Sequence, residues 1–335
     1  MYPRLALLIM LALGTHAHAQ GEVVHGVTIS CQTYGPEWGT DAFAAELDRL
    51  KAMGVNWVAI HPYARIDGDG RVSTRLDSSK PPRWITRPIA EAKARGMHIM
   101  VKPHLAYWGS PFSWRGEIDF PPGPKRDRFF ESYRRWIVDM AQVTAEADAF
   151  AVGTELDKLI EHDAQWRRII AEIRKVTPAK LTYAANWTDY TRVPFWDALD
   201  AVGVQAYFPL MKEGDGAKAD RATLLAGWQK VLDGLREVHT QTGKPIIFTE
   251  LGYSLTPVAA TKPWAHEWPK GWGDKAAAAA LQKLCLDVAL EVMEREKSWL
   301  RGAFLWKWFV GAAPGEDFMM DAPHLLPVLT EHWQG

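Results

Sequence analysis

Short apolar runs alternate with longer segments of helical period along most of this chain. VVHGVTIS (23–30) is followed by TDAFAAELDRLKAMG (40–54). In that second segment apolar residues recur every three to four positions, Thr40 or Asp41 can cap the start and Gly54 can close the end. The alternation continues. NWVAIHPYA precedes PRWITRPIAEAKARG, HIMVKPHLAY precedes RDRFFESYRRWIVDMAQVTAEA, and AFAVGTEL precedes DAQWRRIIAEIRKVT. KLTYAANW is followed only by a short helical stretch around VPFWDALD. AVGVQAYF and PIIFTELGY are each followed by a long helical segment, and RGAFLWKWF comes before a last helical piece near HLLPVLTEHW.

The strand-like runs are almost continuously apolar, as strands are when helices cover a parallel sheet. Eight strands with about eight helices in this length predict a single-domain α/β fold, the (β/α)8 TIM barrel. A doubly wound open sheet is the alternative, but no glycine-rich dinucleotide turn follows the first strand. The loops also favour a barrel. Helix-to-strand links are short, as at Gly54 to Asn56 and Gly243 to Pro245. Several strand-to-helix links are long and rich in Trp, Pro and Gly: WGSPFSWRGEIDFPPGPK (108–125) and SLTPVAATKPWAHEWPKGWGD (254–274). Long loops on one face form a barrel's active-site mouth.

Composition narrows the function. The formal net charge of -1 gives no basic excess to draw nucleic acid or an anionic membrane. The 17 tryptophans need a use, and flat apolar platforms with a polar tip are one. Trp136, Trp166 and Trp228 fall on predicted helices and read as core. Trp108, Trp114, Trp264, Trp268 and Trp272 fall in the mouth loops, where they either bind ligand or anchor the loops. The start of the chain reads as a signal peptide: Arg4, an apolar run from Leu5 to Leu13, and Ala17-His18-Ala19 as a cleavage site. Residues 1–19 are expected to be removed and 20–335 to form the catalytic barrel, exported to the periplasm or medium without a membrane anchor, as a monomer. Cys31 and Cys285 are expected as buried free thiols, with a bridge between them as the alternative.

Polar residues collect at the carboxyl ends of the predicted strands: His61, Lys102, His104, Glu155, Asn186 and Trp187, Tyr207, Glu250, and then Trp306, Lys307 and Trp308. On a barrel these positions converge on one mouth. Burying charge without a partner costs several kcal/mol, so each charged group there requires a reason. One is simple ion pairing of Glu155 or Glu250 with Lys102 or Lys307. The other is catalysis. Strands four and seven face each other across the barrel, and two opposed carboxylates are what glycoside hydrolysis requires.

These motifs carry a resemblance. Glutamates ending strands four and seven resemble the clan of retaining (β/α)8 glycoside hydrolases. Within it VGTEL, FTELGY and the opening HGVTIS resemble glycoside hydrolase family 113, whose known members are β-mannanases. The resemblance covers roughly His25 to Trp308. It implies Glu155 as acid/base and Glu250 as nucleophile, Tyr207 donating to Glu250, and Trp306 as floor of the subsite where cleavage occurs. Many clan members place Asn before the acid/base, against the sugar 2-hydroxyl; here Thr154 stands there. His61, Lys102, His104, Thr154, Asn186, Trp187, Lys307 and Trp108 complete the substrate-binding set, although several of them could equally be structural.

The expected substrate is an oligo- or polysaccharide, cut without a cofactor or metal. An endo-β-1,4-mannanase is the first expectation. A hydrolase of another β-linked glycan, or a carbohydrate-binding barrel without catalysis, are the alternatives. DGDG (67–70) lacks the Gly and Glu of a calcium loop and reads as a turn.

Overall fold

The structure, a computed structural model, describes residues 22–266, 273–313 and 317–334. The proposed signal peptide, Trp268 and Trp272 lie outside the described residues. Eight parallel strands close into a barrel: β1 (Val24–Ser30), β2 (Trp57–Ile60), β3 (His98–Val101), β4 (Ala149–Thr154), β5 (Lys180–Asn186), β6 (Val202–Gln205), β7 (Ile246–Leu251) and β8 (Leu300–Phe309). Closure is direct, with Val27 of β1 opposite Leu305 of β8 on one side and Val58 of β2 on the other.

Seven α-helices occur among the described residues: α1 (Asp41–Ala52), α2 (Arg83–Ala94), α3 (Pro124–Val143), α4 (Asp163–Val176), α5 (Arg221–Thr242), α6 (Lys275–Glu296) and α7 (Leu326–Gln334). Their ends match the sequence signals. The Thr40 hydroxyl accepts from the Phe43 N–H, and Asp220 forms a reciprocal capping box with Thr223. Gly54 takes φ 88° after α1, where a Cβ would lie 2.3 Å from the Trp333 carbonyl oxygen. Only glycine fits there.

One expectation changes. The strands NWVAIHPYA and HIMVKPHLAY are not continuous. Each breaks at its proline, Pro62 or Pro103, which cannot donate to a ladder. Beyond the break, Tyr63–Ile66 pairs in parallel with His104–Ala106 and antiparallel with Val72–Ser73, forming a small second sheet. The DGDG turn closes its hairpin, with Asp67 Oδ1 accepting from the backbones of Asp69 and Arg71. The link from β5 to β6 carries the short helical stretch expected around VPFWDALD, as a turn of 3-10 helix at Trp196–Ala198. Pro194 interrupts the segment, and the buried Phe195 and Trp196 cover the barrel where a helix would have packed.

The main core lies between barrel and helices, and Trp136, Trp166 and Trp228 are buried in it as expected. A separate small cluster, Ala59, Met100, Ile247 and Phe304, plugs the barrel. Side chains two residues apart share a strand face. The next residues on those faces are His61, Lys102, Thr249 and Trp306, so the apolar plug is the foundation of a polar layer above it. Cys285 is buried and Cys31 only partly so; both are free. Burial pushes the Cys31 thiol up to about 12, so it stays protonated.

Candidate active site

The two Thr-Glu-Leu motifs are built differently. Glu250 lies inside β7, at a register shift against β6. Glu155 lies just past β4 with φ 49°, the one positive φ outside glycine among the described residues. A left-handed glutamate is uncommon, and such a conformation persists only where its surroundings hold it. Here the Glu155 N–H donates to Ala184 O at 2.9 Å and the Leu156 N–H donates to the Tyr183 hydroxyl at 2.8 Å. The turn re-aims the carboxylate away from the strand direction.

Each carboxylate has its own cation. Glu250 Oε1 pairs with the Lys102 ammonium, and Glu250 Oε2 accepts from the Tyr207 hydroxyl at 2.8 Å. Lys102 is fully buried and also donates to Thr249 O at 3.0 Å. Burial lowers its proton affinity, while Glu250 opposes that. Tyr207 is driven far above its ordinary value, first by burial and then by Glu250, so it remains a hydrogen-bond donor. Glu155 Oε2 pairs with Arg115 Nη1 at 2.6 Å. Arg115 reaches onward to Leu105 O and to His104 Nδ1 at 3.4 Å, and His104 Nε2 stands 3.8 Å from Glu250 Oε1. Arg115 and His104 therefore bridge the two carboxylates.

Trp306 lies among these groups. Its ring is 5.3 Å from that of His61 and stacks on His104 at 6.2 Å, with the Lys102 ammonium 5.2 Å and the Lys307 ammonium 5.3 Å from its centroid. The Trp306–Lys307 peptide is cis. His61 and His104 stack on each other, and His61 Nε2 lies 3.1 Å from Ser30 Oγ. Burial, reinforced by the nearby cations, holds both imidazoles well below their ordinary range, so both are neutral. His61 Nδ1 and His104 Nε2 have no hydrogen-bond partner among the described residues.

The sequence-predicted set therefore divides. His61, Lys102, His104, Tyr207, Trp306 and both glutamates come together, joined by the Lys307 ammonium at the edge of the Trp306 ring. Lys102 serves as the counter-ion of Glu250. The Thr154 hydroxyl donates to Pro103 O at 3.2 Å and is buried. Asn186 donates to Asp157 Oδ2 at 3.2 Å. Trp187 stands to one side, stacked on Trp264 at 5.5 Å. Trp308 is a correction. It turns outward to α1, donating to Glu46 Oε2 at 2.9 Å; the β1–β8 register shifts here, with Thr28 opposite Trp306 but Ile29 opposite Trp308, so the regular alternation that would place both rings on one face is broken. Trp114 packs over Gly116 and acts as a loop anchor. Trp108, Trp264 and Tyr34 are the large hydrophobic side chains left exposed among the described residues, and all three belong to mouth loops. Arg115 was not anticipated. It lies inside the Trp-rich loop after β3, where nothing in the local pattern separates it from a solvated arginine. Among the described residues no group of three or more His, Cys, Asp or Glu could hold a metal ion, and no helix is long and apolar enough to cross a membrane.

Asp157, two residues beyond Glu155, is buried, and its Oδ1 has no hydrogen-bond partner among the described residues. Burial, then the neighbouring Asp189 carboxylate, push it up to about 7. Its folded-state value is thus raised above the unfolded one, so its stabilising contribution is complete below about pH 4 and is lost as pH climbs to about 7. Asp157→Asn should flatten thermal stability over that range. It should also stabilise the protein at pH 8 by about 1–2 kcal/mol, read from denaturant midpoints at pH 5 and pH 8.

Comparison with known proteins decides the class. The family model described as Glycoside Hydrolase Family 113 matches residues 27–323. The chain belongs to glycoside hydrolase family 113. It is therefore a glycoside hydrolase, with a glycan as substrate. A structure described as a family 113 β-1,4-mannanase complex superposes with TM-score 0.77 at 23% identity, over 94% of this chain and all (100%) of that one. A family 113 β-mannanase from Alicyclobacillus acidocaldarius, in complex with ManMIm, gives 0.76 at 23% identity, over 93% and 97%. A family 5 mannosidase from Rhizomucor miehei gives 0.59 at 11%, over 93% and 92%. At these identities the likeness confirms the barrel. No curated protein sequence matches the chain.

Proposed function

We propose that this hydrolase cuts β-1,4-mannan internally, with retention, using Glu250 as nucleophile and Glu155 as acid/base. The carrying observation is that the two carboxylates ending β4 and β7 are held by separate cations, Lys102 and Arg115, and meet through His104, which stacks on Trp306. Lys102 and Tyr207 hold and aim Glu250, one at each carboxylate oxygen. A Glu250 oxygen attacks the anomeric carbon as the glycosidic C–O bond breaks, and Glu155 gives its proton to the departing oxygen. Arg115 anchors Glu155 through Oε2, which leaves Oε1 to carry that proton. In the second step Glu155 takes a proton from water, the water oxygen attacks the anomeric carbon, and the ester to Glu250 breaks.

Neutral His61 and His104 have nitrogen atoms to spare for sugar hydroxyls, and Trp306 offers its ring face. The mannan preference is supported by the likeness to the family 113 β-mannanase structures. Export is supported by the signal-like segment at residues 1–19.

Purified protein should lower the viscosity of β-1,4-mannan, release short oligosaccharides, and leave β-glucan and peptidoglycan largely intact. The first-formed product should be the β-anomer by NMR. An α-anomer would overturn retention, and cleavage of β-glucan in preference to mannan would overturn the substrate.

A further inference from the structure

Beside the catalytic layer runs a groove of about 600 Å³, between the segment after β1 and the small second sheet. Tyr63 joins the two. Its ring lies 5.3 Å from that of His61, 5.8 Å from that of His104, and 5.5 Å from that of Trp108 at the groove's edge. Trp108 is 55% exposed and Tyr34, on the opposite wall, 46%. Trp108 stands open beside Tyr63, while one face of Tyr34 carries the Arg75 guanidinium. The groove is therefore continuous with the site that cuts the glycan, and it presents the flat apolar surfaces on which sugar rings stack.

Its charge is one-sided. Arg65 and Arg75 line it, and no aspartate or glutamate does. Neither arginine enters an ion pair among the described residues, whereas Arg87, Arg95 and Arg115 elsewhere in the chain all do. Arg75 lies over the Tyr34 ring at 5.1 Å, which fixes its plane along the wall. Planar guanidinium groups recognise carboxylates through paired N–H donors. A neutral mannan would give these two cations only hydroxyls.

We infer that this groove is a subsite for an acidic sugar, a carboxylate-bearing unit on the glycan lying beside the bond that is cut. The carboxylate meets Arg65 and Arg75, while the sugar ring stacks on Trp108 or Tyr34. The inference rests on the glycosidase reading of the adjoining site and deepens it. Uronic acids and pyruvate ketals share the required chemistry, so both belong in the test.

The probes are β-1,4-manno-oligosaccharides bearing a glucuronate or a pyruvate ketal, each with its carboxyl-reduced counterpart. The wild-type protein should prefer an acidic probe over its reduced form by about tenfold in kcat/KM at low salt. That preference should shrink towards unity at about 0.5 M salt, because the arginines are exposed. In Arg65→Gln/Arg75→Gln the ratio should fall to near one, and Arg65→Lys/Arg75→Lys should restore part of it. A wild-type ratio near one for both acidic probes, or a ratio that the glutamine pair leaves unchanged, overturns the inference. If no probe is cut, the mannanase reading fails instead, and calorimetry on the same probes still decides the groove. Equal affinity for acidic and reduced forms then refutes it, and tighter binding of an acidic form that is lost in the glutamine pair supports it.

Discussion

Glu250→Gln should reduce kcat on mannan by at least about a thousandfold, since the amide cannot form the glycosyl ester. The same change has a second consequence. Lys102 is fully buried, and Glu250 is its one carboxylate partner among the described residues. Removing one member of a buried pair leaves an uncompensated charge that costs about 3–5 kcal/mol. The variant should therefore also melt lower, by roughly 4–8 °C, unless Lys102 gives up its proton. Adding Lys102→Met removes the stranded ammonium. The double variant should recover much of the melting temperature and none of the activity. That contrast separates the nucleophile from a residue that merely holds the barrel top together. Normal turnover by folded Glu250→Gln would end the assignment.

The barrel was legible because its signal is repetitive. Eight apolar runs with short returns on one end and long loops on the other admit few other topologies. What the pattern hid was local. Pro62 and Pro103 each sit inside an apolar run, and only the missing donor tells that β2 and β3 stop there and that a second sheet begins.

In the site, Glu155 and Glu250 were legible because a charge ending a buried strand is costly and so stands out. Their partners were less so. Lys102 stood out equally, but composition cannot say whether a buried lysine meets substrate or a carboxylate. Distance decides that, and it places Lys102 on Glu250. Thr154 and Asn186 looked available for sugar, yet their donors go to Pro103 and Asp157. Arg115 had no sequence signal at all, because a long loop sets no periodicity against which a buried residue could be recognised.

Glu155→Ala should show an effect that depends on the leaving group. With mannan the departing sugar alkoxide needs a proton, so kcat/KM should fall about 10²–10⁴-fold. With an aryl mannoside whose phenol leaves readily, glycosylation needs no acid, and the first step should run at close to the wild-type rate. Hydrolysis of the ester to Glu250 would then limit turnover, because no base remains to activate water. A burst of phenol followed by slow release is the expected time course. Azide, which attacks without surrendering a proton, should accelerate the slow phase and give a β-linked glycosyl azide. The substitution also strands Arg115, although its guanidinium keeps Leu105 O as an acceptor and stands near His104. Arg115→Met in the same background therefore tests whether any loss of rate comes from a displaced cation. If Glu155→Ala slowed both substrates equally, Glu155 would be a structural ion-pair partner of Arg115, and the proton donor would have to be sought elsewhere in the mouth.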